Sequence, residues 1–322
     1  MYLLLILSHL FLIPGFSFLE HKDNEKKSTQ QPAGPFGTIT ITCSSDASTI
    51  CVVDCSELYR EGLDTIRKTV FWRTIMNTDH DSVLFYSFPN RRILGKLPYD
   101  DFSKSGETQQ AATLEKFSSE LLEGEEKVSY MRGRNHFYDV PAVVPQIDRA
   151  VKIFEQQNVD PFYAQAILLI ESPGKLAKSS VGAFGPFQLM KSVARQYGLK
   201  VNAQVDERSD FNKSAIAASK LISRICIPYT NAMLRKRNIA WCETDLWYRL
   251  LVLHVYHAGA GNVAKAIDKI EPEVGSINLI KTLWKTNAGG FQNASQNYSQ
   301  VAIASLIELD NHIQKISSPE LP

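Results

Sequence analysis

The spacing of apolar positions changes character near residue 140. Before it, short runs alternate. Thr38-Ile39-Thr40-Ile41-Thr42-Cys43 interleaves β-branched residues and predicts a strand, and Val83 to Phe88 and Arg92 to Leu94 predict two more around Pro89-Asn90. Leu58, Leu63, Ile66, Val70 and Ile75 recur at broadly helical spacing through residues 55–77, and residues 107–123 predict a further helix. This mixture predicts a small α+β unit over residues 38–140. It carries no motif of identifiable chemistry and reads as a structural or substrate-presenting module. From Val143 the pattern turns helical almost throughout. Ile147, Ala150, Val151 and Phe154 form a stripe at i, i+3, i+4, i+7. Asp160-Pro161 supplies a cap and a proline at the first helical position, opening a helix that runs to Glu171. Further helices are predicted over 210–225, 246–254, 261–270 and 296–316, with no repeat of fixed period. The chain is therefore α+β overall, with an all-α domain over residues 141–316 and a short tail, 317–322.

The N-terminus adds a destination. Tyr2 to Phe18 is almost all Leu, Ile and Phe, broken by Pro14-Gly15, and a polar stretch follows at once. Pro14-Gly15 would interrupt a spanning helix, while Gly15 and Ser17 suit the −3 and −1 places of a cleavage site. Residues 1–17 thus predict a signal peptide, residues 18–37 a linker, and the protein an exported, periplasmic or envelope-associated location. An uncleaved segment would instead hold it to the membrane. Composition changes little: 44% hydrophobic and 21% charged residues describe an ordinary globular chain, and a net charge of +1 gives no footprint for nucleic acid. Five cysteines leave at least one thiol free in an exported protein, with room for one disulfide in each half. Cys51 and Cys55 lack the matching histidine pair of a zinc site, and no metal or other cofactor is expected.

The candidate chemistry sits at Glu171. Ala164, Ile167 and Leu168 lie seven, four and three positions before it, so it ends a stripe facing the core. Desolvation disfavours a carboxylate and keeps a proton available near neutrality, as a general acid requires. Downstream, Gly182 and Gly185 permit a tight backbone course, and Gln188 offers donors and an acceptor suited to sugar hydroxyls. Tyr256 and Tyr298 could stack on a sugar or hydrogen-bond a carboxyl.

Taken together, Glu171-Ser172, Ser180, Gly182-Ala183-x-Gly185-x-x-Gln188-Leu189-Met190 with Ala194, Asp206-x-Arg208-x-Asp210, Tyr256-His257-Ala258-Gly259-x-Gly261-x-Val263 and Asn297-Tyr298 resemble, in order, the motifs of the soluble lytic transglycosylase domain. The resemblance spans roughly residues 143–310. It implies a lysozyme-like fold acting on the glycan strands of peptidoglycan, cleaving the β-1,4 bond between N-acetylmuramic acid and N-acetylglucosamine. It implies that Glu171 acts first as acid and then as base, leaving a 1,6-anhydromuramic end. By the same resemblance Ser172 and Ser180 are supporting polar positions, Gln188 lines the saccharide groove, and Tyr256 and Tyr298 orient the acid or line the cleft. Two-carboxylate glycosidases need a second acid across the bond. Asp206, Glu207 and Asp210 are the nearest downstream, and the resemblance makes them structural. The chain departs from the pattern at Pro186-Phe187 for Leu-Met, His257 for Asn, Lys191 for Pro, and a loop about one residue short between Glu171 and Gly182. Phe187 is expected to supply an apolar groove wall, and His257 to hydrogen-bond as the asparagine would. A muramidase of the same fold and an inactive wall-binding scaffold are the competing readings.

Overall fold

The computed structural model describes residues 35–171, 178–179 and 181–317. The expected signal peptide, most of the linker, Ser172, Ser180 and residues 318–322 lie outside these. Among the described residues, no helix is long and apolar enough to cross a membrane.

The N-terminal part contains strands β1 (Thr38–Thr42) and β2 (Thr49–Val53), helices α1 (Ser56–Arg60) and α2 (Arg67–Asn77), then β3 (Ser82–Phe88), β4 (Ile93–Pro98), α3 (Tyr99–Ser103), α4 (Glu107–Ser118) and β5 (Lys127–Arg132). β1 and β2 form an antiparallel hairpin, and β4-β3-β5 form a second antiparallel sheet. Two strands, β2 and β5, add to those the alternation predicts. The helical stretch over 55–77 divides in two at Gly62, whose φ of +62° ends α1. All five cysteines are free thiols, so neither half contains a disulfide.

The helical part contains α5 (Val140–Gln156), α6 (Phe162–Glu171), α7 (Lys191–Gln196), α8 (Phe211–Leu221), α9 (Ile227–Arg235), α10 (Leu246–Ala258), α11 (Ala260–Ile270), α12 (Ile277–Leu283) and α13 (Asn293–Ser317). Between α8 and α9 lies one π turn, Ile222–Cys226. Pro228 has no N–H to return to the preceding turn, and the helix widens there rather than breaking.

α6 is the central helix. Every residue from Phe162 through Leu169 is buried, and Ile147, Ala150, Val151 and Phe154 of α5 pack in the same core. Burial of each Leu, Ile or Phe contributes about 1.5–3 kcal/mol, and a polar side chain set among them gains by finding partners, although the Tyr163 hydroxyl has none among the described residues. Asp160 does so at its start: one carboxylate oxygen accepts from the Phe162 amide at 2.9 Å, and the other from Arg249 Nε at 2.7 Å. Gln165 does so midway, accepting from the Val53 amide at 2.9 Å and donating to the Val53 carbonyl at 3.1 Å. The hairpin is thereby fixed to α6, and Ile41, Val52, Val53, Leu58 and Leu63 join the helical core. The second sheet is held through α2, whose Phe71, Trp72, Ile75 and Met76 meet Val301 and Ala304 of α13.

Candidate active site

Glu171 is the last residue of α6 and follows eight buried positions. It keeps some exposed surface, but Tyr298 of α13 reaches its carboxyl, and the phenol donates to Oε1 at 2.9 Å. Burial raises the Glu171 carboxyl from 4.5 to about 7, against the Tyr298 hydrogen bond, which lowers it. The negative end of α6 acts in the same direction as burial. Near neutrality the group therefore exists in both protonation states, the condition for giving and then taking a proton. Burial first, and the Glu171 charge second, push the phenols of Tyr256 and Tyr298 well above their ordinary range, so both stay protonated donors.

The two tyrosines do different things. Tyr298 is tied to the acid. Tyr256 donates to the Phe187 carbonyl at 2.5 Å and supports the loop beside the acid. His257 lies flat on Tyr298, with ring centroids 4.3 Å apart and planes 19° apart, and desolvation lowers its pKa. Its observed role is stacking. Behind Tyr298, Trp284 Nε1 donates to Ser299 Oγ at 2.7 Å, and that oxygen lies 2.9 Å from His254 Nε2. Burial holds His254 neutral, at about 3.

The glycine-rich segment is a tight turn. The Phe184 and Leu189 backbones pair across it at 3.2 and 3.1 Å, with Gln188 at φ +44° and its Nε2 donating to the Gly185 carbonyl at 3.1 Å. Gly185 cannot be replaced: φ is +86°, and a Cβ would stand 1.9 Å from the Arg208 carbonyl oxygen. Phe187 is not a groove wall. It is fully buried, stacked on Phe154 at 5.8 Å. In this turn Gln188 is half-buried, while the Phe187 ring beside it is directed into the core between Phe154 and Phe211.

The downstream carboxylates have structural partners. Arg208, fully buried, pairs with both oxygens of Asp206 at 2.8 and 2.6 Å, and its Nη1 donates to the carbonyls of Gly182 and Leu189, each at 2.8 Å. One guanidinium thus clamps both ends of the turn. Glu207 accepts from Lys213 at 2.6 Å, and Asp210 caps α8 through the Lys213 amide at 2.9 Å. Hydrogen bonds from these cations hold Asp206 and Glu207 below their ordinary range.

Glu171 and Tyr298 are thus in direct contact, Gln188 is on the glycine-rich turn, and Tyr256 of α10 is hydrogen-bonded to that turn. Ser172 and Ser180 lie outside the described residues. The sequence analysis missed Arg208 as the clamp, although a basic residue between two acidic ones beside a glycine-rich turn is a usable signal. It also missed Tyr138, which precedes every motif. Burial, with a contribution from the Glu171 charge, pushes that phenol up to about 12.

Residues 150–273 match the family model described as the transglycosylase SLT domain. No curated protein matches the chain. The match begins in α5, contains Glu171, the turn, Arg208 and Tyr256, and ends just after α11, with Tyr298 contributed from beyond it. The chain carries a transglycosylase SLT domain of the lysozyme-like, soluble lytic type, a domain that acts on peptidoglycan.

Proposed function

We propose that the protein is an exported lytic transglycosylase that cleaves the β-1,4 bond between N-acetylmuramic acid and N-acetylglucosamine, with Glu171 as the single acid and base. The observation that carries this reading is a carboxyl raised to about 7 by burial, with a neutral phenol as its hydrogen-bond partner. Protonated Glu171 gives its proton to the glycosidic oxygen as the bond from muramic C1 to that oxygen breaks. The resulting carboxylate takes the proton of the muramic C6 hydroxyl, and O6 closes on C1. The product carries a 1,6-anhydro ring, no water is consumed, and the acid regains its proton. Tyr298 donates to the carboxylate in the second step and holds its orientation in both. Gln188 lines the saccharide groove, and Ser172 and Ser180 supply polar contacts near the acid. The apolar N-terminal segment agrees with export, since the substrate lies outside the cytoplasmic membrane.

The test is digestion of purified peptidoglycan by residues 38–322 with mass analysis of the products. Anhydro ends support the reading. Products heavier by one water would mean a muramidase, and an undigested wall would mean a binding scaffold. Glu171→Gln should lower turnover by roughly 10²–10⁴-fold, the usual contribution of a positioned acid and base. Unchanged digestion by that variant would remove Glu171 from the mechanism.

A further inference from the structure

A cavity of about 330 Å³ lies between the β3–β4 turn and the start of α13. Lys68, Arg91 and Lys285 line it, with the exposed Glu126 as the opposing carboxylate, so three cations face one anion. Arg91 is the unusual member. It is only 4% exposed, yet it forms no ion pair among the described residues and its Nη1 has no hydrogen-bond partner. Its Nη2 reaches the side-chain oxygens of Asn297 and Asn293 only at 3.4 and 3.5 Å. The guanidinium is held by rings instead: Tyr86, Phe71 and Trp72 lie 4.8, 5.0 and 5.8 Å from its centre.

Cation–π contacts offset part of the desolvation of a buried cation but leave its N–H donors unmet. A carboxylate accepts two such donors in one plane, which suits a guanidinium fixed by surrounding rings. Lys68 is also under-compensated, its ammonium reaching only the Pro89 carbonyl at 3.4 Å. Burial, followed by the charges of Arg91 and Lys285, lowers Lys68 to about 8. The cavity and the candidate active site share α13: Asn297 lines the cavity, and the next residue, Tyr298, holds Glu171, so the two lie within one turn of that helix.

We propose that this cavity binds a carboxylate of the peptide stems borne by the glycan strand, which gives residues 38–140 a substrate-presenting role. The inference rests on peptidoglycan as the substrate. Stems carry carboxylates at their ends and on their side chains, so a strand in the groove would bring such a group to the adjoining cavity. Wall polysaccharide without peptide offers only the lactyl carboxylates, which sit against the sugar rings and cannot reach out of the groove as a stem does.

The test uses titration calorimetry with the full chain and three probes: the N-acetylglucosaminyl-N-acetylmuramyl disaccharide bearing a tetrapeptide, the same compound with its carboxylates converted to amides, and the peptide-free disaccharide with its lactyl carboxyl as the simple amide. The acid form should bind about tenfold tighter than the amide form, the worth of one charge-assisted hydrogen bond. Arg91→Met should abolish that preference and leave binding of the peptide-free disaccharide unchanged. If Arg91→Met fails to fold, the double variant Lys68→Gln with Lys285→Gln decides by the same measure. Equal affinity for acid and amide forms, or a preference that survives the variants, overturns the subsite. Digestion of peptide-free glycan strands separates the two proposals. An active enzyme indifferent to stem carboxylates loses the subsite alone. An inactive chain that still prefers the acid form through Arg91 loses the catalytic reading alone.

Discussion

Replacing Glu171 by glutamine should make the protein more stable in mildly alkaline solution while leaving its stability in acid unchanged. The fold raises this carboxyl from 4.5 to about 7, so ionising it in place costs more than ionising it in the unfolded chain. Between those two values the folded state binds more protons than the unfolded one, and stability therefore falls as pH rises. Below the lower value the group is protonated in both states and contributes nothing. Above the upper value the loss is complete. At about 1.4 kcal/mol per pH unit the full gap is roughly 3 kcal/mol, and the part of the residue open to water reduces this to about 1–3 kcal/mol. Glutamine has nearly the same shape, accepts from Tyr298 as the carboxyl does, and never ionises. Urea unfolding of the wild type and Glu171→Gln at about pH 4 and about pH 8 measures the difference directly. The two should coincide in acid, with the variant ahead in base. A constant difference, or a variant less stable in base, would refute the assignment of a buried, proton-retaining carboxyl.

Wild-type activity should fall as pH rises through about 7, because the reaction begins with the protonated acid; a rate flat well into alkaline solution would contradict this. Tyr298→Phe removes the donor that favours the carboxylate, so the alkaline limb of kcat/KM should move up by about one to two pH units. A limb that stays in place would leave the phenol without a tuning role. Gly185→Ala, with its Cβ driven onto the Arg208 carbonyl, should cost roughly 2–4 kcal/mol in thermal or urea unfolding. Arg208→Met takes the guanidinium from Asp206, leaves the Gly182 carbonyl without its donor, and should cost about 2–4 kcal/mol. Near-wild-type stability would show that the clamp is redundant.

Patterns that depend on neighbouring residues were legible in the sequence. The α5 stripe, the Asp160-Pro161 opening and the apolar run ending at Glu171 all express helical periodicity and capping. β2 and β5 were not legible, because each is short and is completed by a partner rather than by its own alternation. β5 pairs with β3 some forty residues earlier, and β2 is fixed by a glutamine more than a hundred residues later. At the site, Glu171 could be found because its burial follows from its own helix. The direction of Phe187 could not, since it depends on a left-handed Gln188 and a hydrogen bond from Tyr256. Arg208 stood in the sequence only as the middle of Asp206-x-Arg208-x-Asp210, because its role depends on two carbonyls of a turn some twenty residues earlier.

The source of Glu171's acidity has a consequence for working conditions. No charged side chain among the described residues contributes to the shift; exclusion of water is its main cause, the end of α6 adds to it, and one phenol works against it. Mobile ions weaken attraction and repulsion between charges, but they do not rehydrate a buried carboxyl. The pH dependence of the enzyme should therefore hardly respond to ionic strength. The proposed export would expose this acid to osmotic swings, and a carboxyl tuned by its surroundings rather than by a counter-ion keeps its proton affinity through them.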